Sequence, residues 1–142
     1  MINISTKAEY AIRALVRIAL SADKQLVSIG NIAEKEKISK KYLENIFNLL
    51  KRSKIVQSTR GPVGGYRLAR TPEELTIYDI LDAVQGPLAS PSCILDPLSC
   101  DRTSKCGSRK LWKEFQNHID DFLKSKTLAQ VMGYYKKERK VS

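Results

Sequence analysis

The chain has 142 residues, 42% of them hydrophobic and 28% charged, with three cysteines and a net charge of +10. A chain this long can bury roughly 70% of its unfolded surface in one core, so one domain with a short appendage is expected and disulfide staples are not needed. No stretch approaches the roughly 20 apolar residues of a membrane span, and no basic segment leads into an apolar signal run, so no membrane partner is expected and the chain should sit in the cytoplasm with reduced thiols.

Residues 6–22 carry Ala8, Ala11, Ile12, Leu15, Val16, Ile18 and Ala19 as one broad apolar stripe, with Arg13 and Arg17 on the other side. This spacing predicts a first helix. Glu9, one turn in, reads on position alone as a favourable charge near the positive end of the helix dipole. Asp23 to Val27 is a polar connection with a short strand at Leu26-Val27, after which Ser28 N-caps a second helix over Ile29 to Lys35. Glu36 and Lys37 make the turn and Ile38 plugs the core.

Ser39 then caps a third helix in which Tyr42, Leu43, Ile46, Phe47, Leu49 and Leu50 recur at helical spacing, leaving Lys40, Lys41, Glu44, Asn45 and Asn48 largely on another face. Two short strands, Ile55 to Thr59 and Tyr66 to Ala69, flank Arg60-Gly61-Pro62-Val63-Gly64-Gly65, a glycine-rich basic hairpin. Between Ile38 and Arg70 eight Lys or Arg face one acid, Glu44. Three helices followed by a basic hairpin predict a winged helix-turn-helix, mainly α with a small β wing.

Thr71-Pro72 ends the hairpin, and Thr76 with Asp79 forms a capping box opening a helix to Val84, which Gly86-Pro87 stops. Residues 88–107 hold neither period and are read as a loop. From Ser108 to about Lys126 a long helix carries Leu111, Trp112, Phe115, Ile119, Phe122 and Leu123, a stripe too bulky for a small domain to cover and therefore expected to meet its twin in a homodimer. Thr127 to Tyr135 adds a short terminal helix, and 136–142 is a charged tail. The expected organisation is a DNA-binding domain at 1–86, a cysteine loop at 87–107, dimerisation and terminal helices at 108–135, and the tail.

The charge excess is uneven, since residues 1–70 carry 14 Lys or Arg against 5 acids (+9) and residues 71–142 carry 11 against 10 (+1). Such a bias favours a polyanionic partner, although a solvated basic face with no partner is the plainer alternative. A helix about 10–12 Å across fits the roughly 12 Å major groove of DNA. Ser39, Lys40, Lys41 and Tyr42 sit at the helix start, where base and phosphate contacts are made; Glu44 can accept from a cytosine amino group, and Asn45 can pair with adenine or a phosphate. Arg60 is placed to reach a minor groove or a flanking phosphate, with a solvated turn residue as the plainer alternative, and Gly64 among the adjoining glycines allows close backbone approach. A two-fold dimer presents two such helices roughly 34–36 Å apart, which predicts double-stranded DNA with a palindromic operator.

Cys93, Cys100 and Cys106 form C-x6-C-x5-C. The spacing is wider than the close pairs of zinc sites and suits an iron–sulfur cluster, [2Fe–2S] or [4Fe–4S]. A thiol–disulfide switch is the main rival, and zinc or inert thiols stay open. His118 reads as structural. No nucleophile with a base, phosphate loop or paired carboxylates points to an enzyme.

The opening STKAEYAIRAL, the stretch ISKKYLENIFNLLKRSKIV, the wing RGPVGGYRLAR, the pieces TIYDIL and QGPL, and three cysteines followed by Leu111-Trp112 together resemble the Rrf-two family of bacterial winged-helix regulators. The resemblance implies a homodimeric transcription factor, most often a repressor, with Cys93, Cys100 and Cys106 as cluster ligands and Glu44 and Arg60 as base-reading and minor-groove residues. Some members place a ligand histidine three residues after the third cysteine, where this chain has Arg109. Others use an acidic residue near the start of the first helix, donated by the partner subunit, and Glu9 falls at that place. Members controlled through a regulatory partner protein or by thiol redox, without a cluster, are the alternative.

Overall fold

The computed structural model describes residues 3–21, 26–88 and 91–141, with side chains to 138. Asp23 to Gln25 of the expected connection and Ser142 of the tail lie outside the described residues. Helix α1 (Thr6–Leu20) starts where the Ser5 hydroxyl accepts the Ala8 N–H, and it buries Ala8, Ala11, Ala14, Leu15, Val16 and Ile18. Helix α2 (Ile29–Glu36) starts on Ser28 in the same way and ends at Lys37, which adopts the left-handed conformation with φ 56°. Helix α3 (Lys40–Arg52) is capped by Ser39 and buries Leu43, Ile46, Phe47 and Leu50.

The chain leaves α3 through a second left-handed non-glycine residue, Lys54 at φ 57°. There the Ile55 N–H donates back to the Leu50 carbonyl at 2.9 Å. Glycine is the usual occupant of such a position, and a side chain there costs about 1–2 kcal/mol. Strands β1 (Val56–Thr59) and β2 (Gly65–Leu68) pair antiparallel, with Val56 opposite Leu68 and Thr59 opposite Gly65. On the other edge of β2 the expected Leu26-Val27 strand is a single bridge, Val27 to Tyr66, closed by bonds of 2.9 and 2.8 Å. That leaves β1 as an edge.

The Thr76–Asp79 capping box opens helix α4 (Ile77–Val84). Residues 88–107, read as a loop, contain helix α5 (Ser92–Leu95) and a 3-10 turn (Pro97–Ser99). Local bonds hold both, such as the Leu98 N–H donated to the Asp96 carboxylate at 3.0 Å, and elements this short show no hydrophobic period. Helix α6 (Gly107–Ser125) follows. Helix α7 (Leu128–Val141) runs on through most of the expected tail, because Lys, Glu and Arg are good helix formers and no breaker follows Tyr135.

One contiguous core joins α1 to α4, and it takes in Leu75, Leu88 and Leu128. Helix α7 packs back on α1. Its start is pinned by the Leu128 N–H on the Leu75 carbonyl (2.8 Å) and the Ala129 N–H on the Pro72 carbonyl (3.0 Å). Of the α6 stripe, Ile119 and Leu123 pack against the core, whereas Leu111, Trp112, Phe115 and Phe122 remain exposed. No helix among the described residues is long and apolar enough to cross a membrane.

Candidate nucleic-acid interface and cysteine loop

The start of α3 is organised by Ser39, whose hydroxyl accepts the Tyr42 N–H at 3.3 Å. Lys40, Lys41, Glu44 and Asn45 are exposed, as the sequence spacing requires. Tyr42 differs: its ring is half-buried and packs edge-on against Tyr10 of α1, with centroids 5.7 Å apart. Glu44 stands beside the hairpin. The Tyr66 phenol is pushed above its ordinary pKa, first by burial and then by the Glu44 carboxylate.

The wing tip is tightly folded. Gly61 has φ +113°, and the Gly64 N–H donates to the Gly61 carbonyl at 2.9 Å. A Cβ on Gly64 would stand 2.9 Å from that carbonyl, 3.0 Å from the Arg60 carbonyl carbon and closer still to the Thr59 oxygen. Only glycine fits. The geometry holds Arg60 exposed, with no ion pair among the described residues, and Val63 87% exposed at the tip.

Sequence periodicity did not reveal how α1 is tied down. Arg13 and Arg17, one turn apart on α1, both bond Glu36 at the end of α2: Arg17 reaches Oε1 at 2.6 Å, and Arg13 reaches Oε2 at 3.1 Å and the Glu36 carbonyl at 2.6 Å. The Arg13 guanidinium also lies 5.4 Å from the Tyr10 ring centroid. The i, i+4 arginines were a visible signal; their partner on another helix was not. At the other end of α1, Gln85 accepts from the Ser5 N–H and hydroxyl, both at 3.0 Å, and donates to the Asn3 carbonyl at 2.9 Å. The beginning of α1, with exposed Glu9 in its first turn, is thereby fastened to the point where the chain enters the cysteine loop.

All three cysteines are free thiols. Cys93 lies half-buried in α5, Cys100 ends the 3-10 turn, and Cys106 is the N-cap residue of α6. The Arg109 guanidinium donates to the Cys93 carbonyl at 3.3 Å, so it holds the backbone and leaves the thiol free. Cys106 Sγ is 3.1 Å from the Ser108 hydroxyl. That hydrogen bond, followed by the Arg109 amide, lowers the Cys106 pKa below the ordinary thiol value. The donor set therefore suits thiolate ligation of iron. Among the described residues, however, no three His, Cys, Asp or Glu side chains are drawn together into a metal-binding group, Glu9 and His118 included.

A family model described as Rrf2, Iron-dependent Transcriptional regulator, matches residues 4–134. The HTH-type transcriptional regulator IscR of Aliivibrio salmonicida is 32% identical over 130 residues, covering 92% of this chain and 77% of the relative. Among solved structures, CymR (YrzC), the global cysteine regulator of B. subtilis, aligns with a TM-score of 0.76 at 28% identity over 94% of this chain and 98% of that one. The IscR of T. potens gives 0.73 at 28% identity, covering 94% and 88%.

Proposed function

The chain belongs to the Rrf2 family of DNA-binding transcriptional regulators, not to an enzyme family, and from that premise we propose that it acts as a homodimeric repressor in the cytoplasm. It reads a palindromic operator through Ser39, Lys40, Lys41, Tyr42, Glu44 and Asn45 in the major groove, with Arg60 and the Gly64 turn at the minor groove. The observation that carries this reading is the exposed face at the start of α3 standing beside a glycine-locked basic wing. The exposed Leu111, Trp112, Phe115 and Phe122 of α6 supply the dimer face.

Operator binding is modulated by an iron–sulfur cluster held by Cys93, Cys100 and Cys106, with Glu9 given across the dimer. When bound, such a cluster supplies a redox- and ligand-sensitive centre. The chain's own part is mechanical. Arg109 orients the Cys93 backbone, Ser108 favours the Cys106 thiolate, and Gln85 fixes the start of the helix that carries Glu9. Helix α1 then meets the reading head through the Tyr10–Tyr42 edge contact and the Arg13–Glu36 bonds.

A second reading, a thiol-redox or partner-protein switch without a cluster, is favoured by the exposure of Cys100 and Cys106. Anaerobic purification with iron and sulfide quantitation and visible absorption separates the two. Acid-labile sulfide with a charge-transfer spectrum supports the cluster; its absence from protein purified and reconstituted without oxygen rejects it. Glu9→Ala is expected to keep the dimer and weaken cluster retention, and an unchanged spectrum and lifetime would remove Glu9 from the ligand set.

A further inference from the structure

A groove of about 700 Å³ runs along β1, between the end of α3 and the hairpin. Lys51, Lys54, Arg67 and Arg70 line it, with Ser58 and Thr59, and no acidic residue does. Arg70 is neutralised by Asp79 at 3.0 Å and Arg67 bonds the Gln57 amide oxygen at 3.1 Å, while Lys51 and Lys54 have no ion pair among the described residues. As the edge strand, β1 turns one row of backbone polar groups away from β2. The groove thus offers cations and edge-strand backbone groups in a line, a lining suited to a chain of phosphates rather than to one compact anion.

Its two ends identify the phosphates. Lys51 lies two turns beyond Glu44 on the same face of α3, about 10 Å along the axis. Thr59, at the other end, precedes Arg60. The groove therefore spans the surface between the helix that would enter the major groove and the arginine that would reach the neighbouring minor groove, where a duplex has a phosphodiester strand. A further observation is the left-handed backbone of Lys54, where glycine would be unstrained. Keeping a lysine there is a local sacrifice of stability of the kind found at functional positions.

Resting on the DNA-binding reading above, we infer that this groove is a phosphate track that grips the backbone strand dividing the major groove read by α3 from the minor groove reached by Arg60. Lys54 and Arg67 are its sequence-independent clamps. They raise affinity and salt sensitivity without choosing bases.

The test uses the full-length protein and a duplex enriched by it from a random library, with binding read by fluorescence anisotropy across a salt series. Phosphates are replaced one at a time by neutral methylphosphonates. In the parent protein, substitution at the strand between the two grooves is expected to weaken binding about three- to tenfold. In Lys54→Gly/Arg67→Gln, which relieves the left-handed residue and so protects folding, the same substitution is expected to cost almost nothing. The slope of log K against log salt should flatten by roughly 2 to 4 for the dimer, at about 0.9 per phosphate released, with base preference unchanged. If parent and variant lose affinity equally at every methylphosphonate, or bind the unmodified duplex with the same slope, the track is wrong and the groove serves another polyanion or none. Failure to enrich any duplex would instead reject the underlying DNA-binding reading.

Discussion

Replacing Gly64 by alanine separates the wing's contribution to binding from its contribution to folding. The added methyl would meet the Thr59, Gly61 and Arg60 backbone, none of which can rotate aside. The turn must open, losing the 2.9 Å Gly64 N–H bond to the Gly61 carbonyl, worth about 1 kcal/mol net, or hold local strain of about 1–3 kcal/mol. Because the tip is exposed, it can open without disturbing the core. Global stability should fall by no more than about 1–2 kcal/mol, a Tm decrease of roughly 2–8 °C for a chain near 150 residues. Moving Arg60 by an ångström should cost about 1 kcal/mol at each half-site, so a two-fold dimer loses about 2 kcal/mol, close to 30-fold in operator affinity. Anisotropy titration of the enriched duplex, paired with thermal unfolding, measures both. Gly65→Ala is the control: its Cβ would lie 2.7 Å from the Val27 carbonyl oxygen, so it should break the Val27–Tyr66 bridge and lose stability first. Operator affinity for Gly64→Ala within threefold of the parent would refute the assignment of the wing.

Glu36→Gln leaves the guanidiniums of Arg13 and Arg17 without their shared carboxylate, whose side chain is 12% exposed. Because both arginines are more open than Glu36, about 2 kcal/mol is expected, below the range for a fully buried pair, and chemical denaturation reads it as a lower midpoint. Lys37→Gly should act in the opposite direction, raising stability by about 0.5 kcal/mol, read as a higher midpoint at constant slope, because glycine accepts φ 56° without strain but loses more chain entropy. With its pKa lowered, Cys106 should carry more thiolate at a given pH than an ordinary thiol. In cluster-free protein its alkylation by iodoacetamide should therefore rise at lower pH, with the profile moving up towards the ordinary thiol in Ser108→Ala; mass spectrometry of the modified peptide reads both.

The features legible in the sequence were those written in local chemistry. Ser28, Ser39 and Thr76 cap their helices where the sequence places them, and Ser5, for which it predicts no such role, caps α1 by the same mechanism. The apolar spacing of Leu43, Ile46, Phe47 and Leu50 marked the buried face of α3 because a 3.6-residue period leaves little freedom. What stayed hidden depends on distant partners. Nothing near Gln85 announces its bonds to Ser5, 80 residues away, and nothing near Arg17 announces Glu36. The two short helical turns among the cysteines escaped because four residues cannot display a period, and α7 ran past its expected end because charged residues continue a helix as readily as they fray from one. Tyr42 belongs both to the apolar series of α3 and to its reading end, and its half-buried ring against Tyr10 suits the two positions at once.

The core also limits how a signal can travel within the proposed regulator. Residues from α1, α2, α3 and α4, with Leu128 of α7, form one continuous buried cluster, and close-packed interiors shift as units rather than deform. An internal hinge that moved α2 and α3 together away from α1 would have to break the Arg13–Glu36 and Arg17–Glu36 bonds and open the Tyr10–Tyr42 contact together. Much less is asked of motion at the exposed face of α6, whose Leu111, Trp112, Phe115 and Phe122 make few commitments inside their own subunit. Filling or emptying the cysteine loop should therefore alter how two whole subunits sit on one another, changing the spacing of the reading helices while each head keeps its shape. Amide exchange tests this directly: protection within α3 and within α1 beyond its first turn should match in cluster-loaded and cluster-free protein, with differences confined to the Glu9 turn, 91–107 and α6, and a change inside α3 would place the switch within the subunit instead.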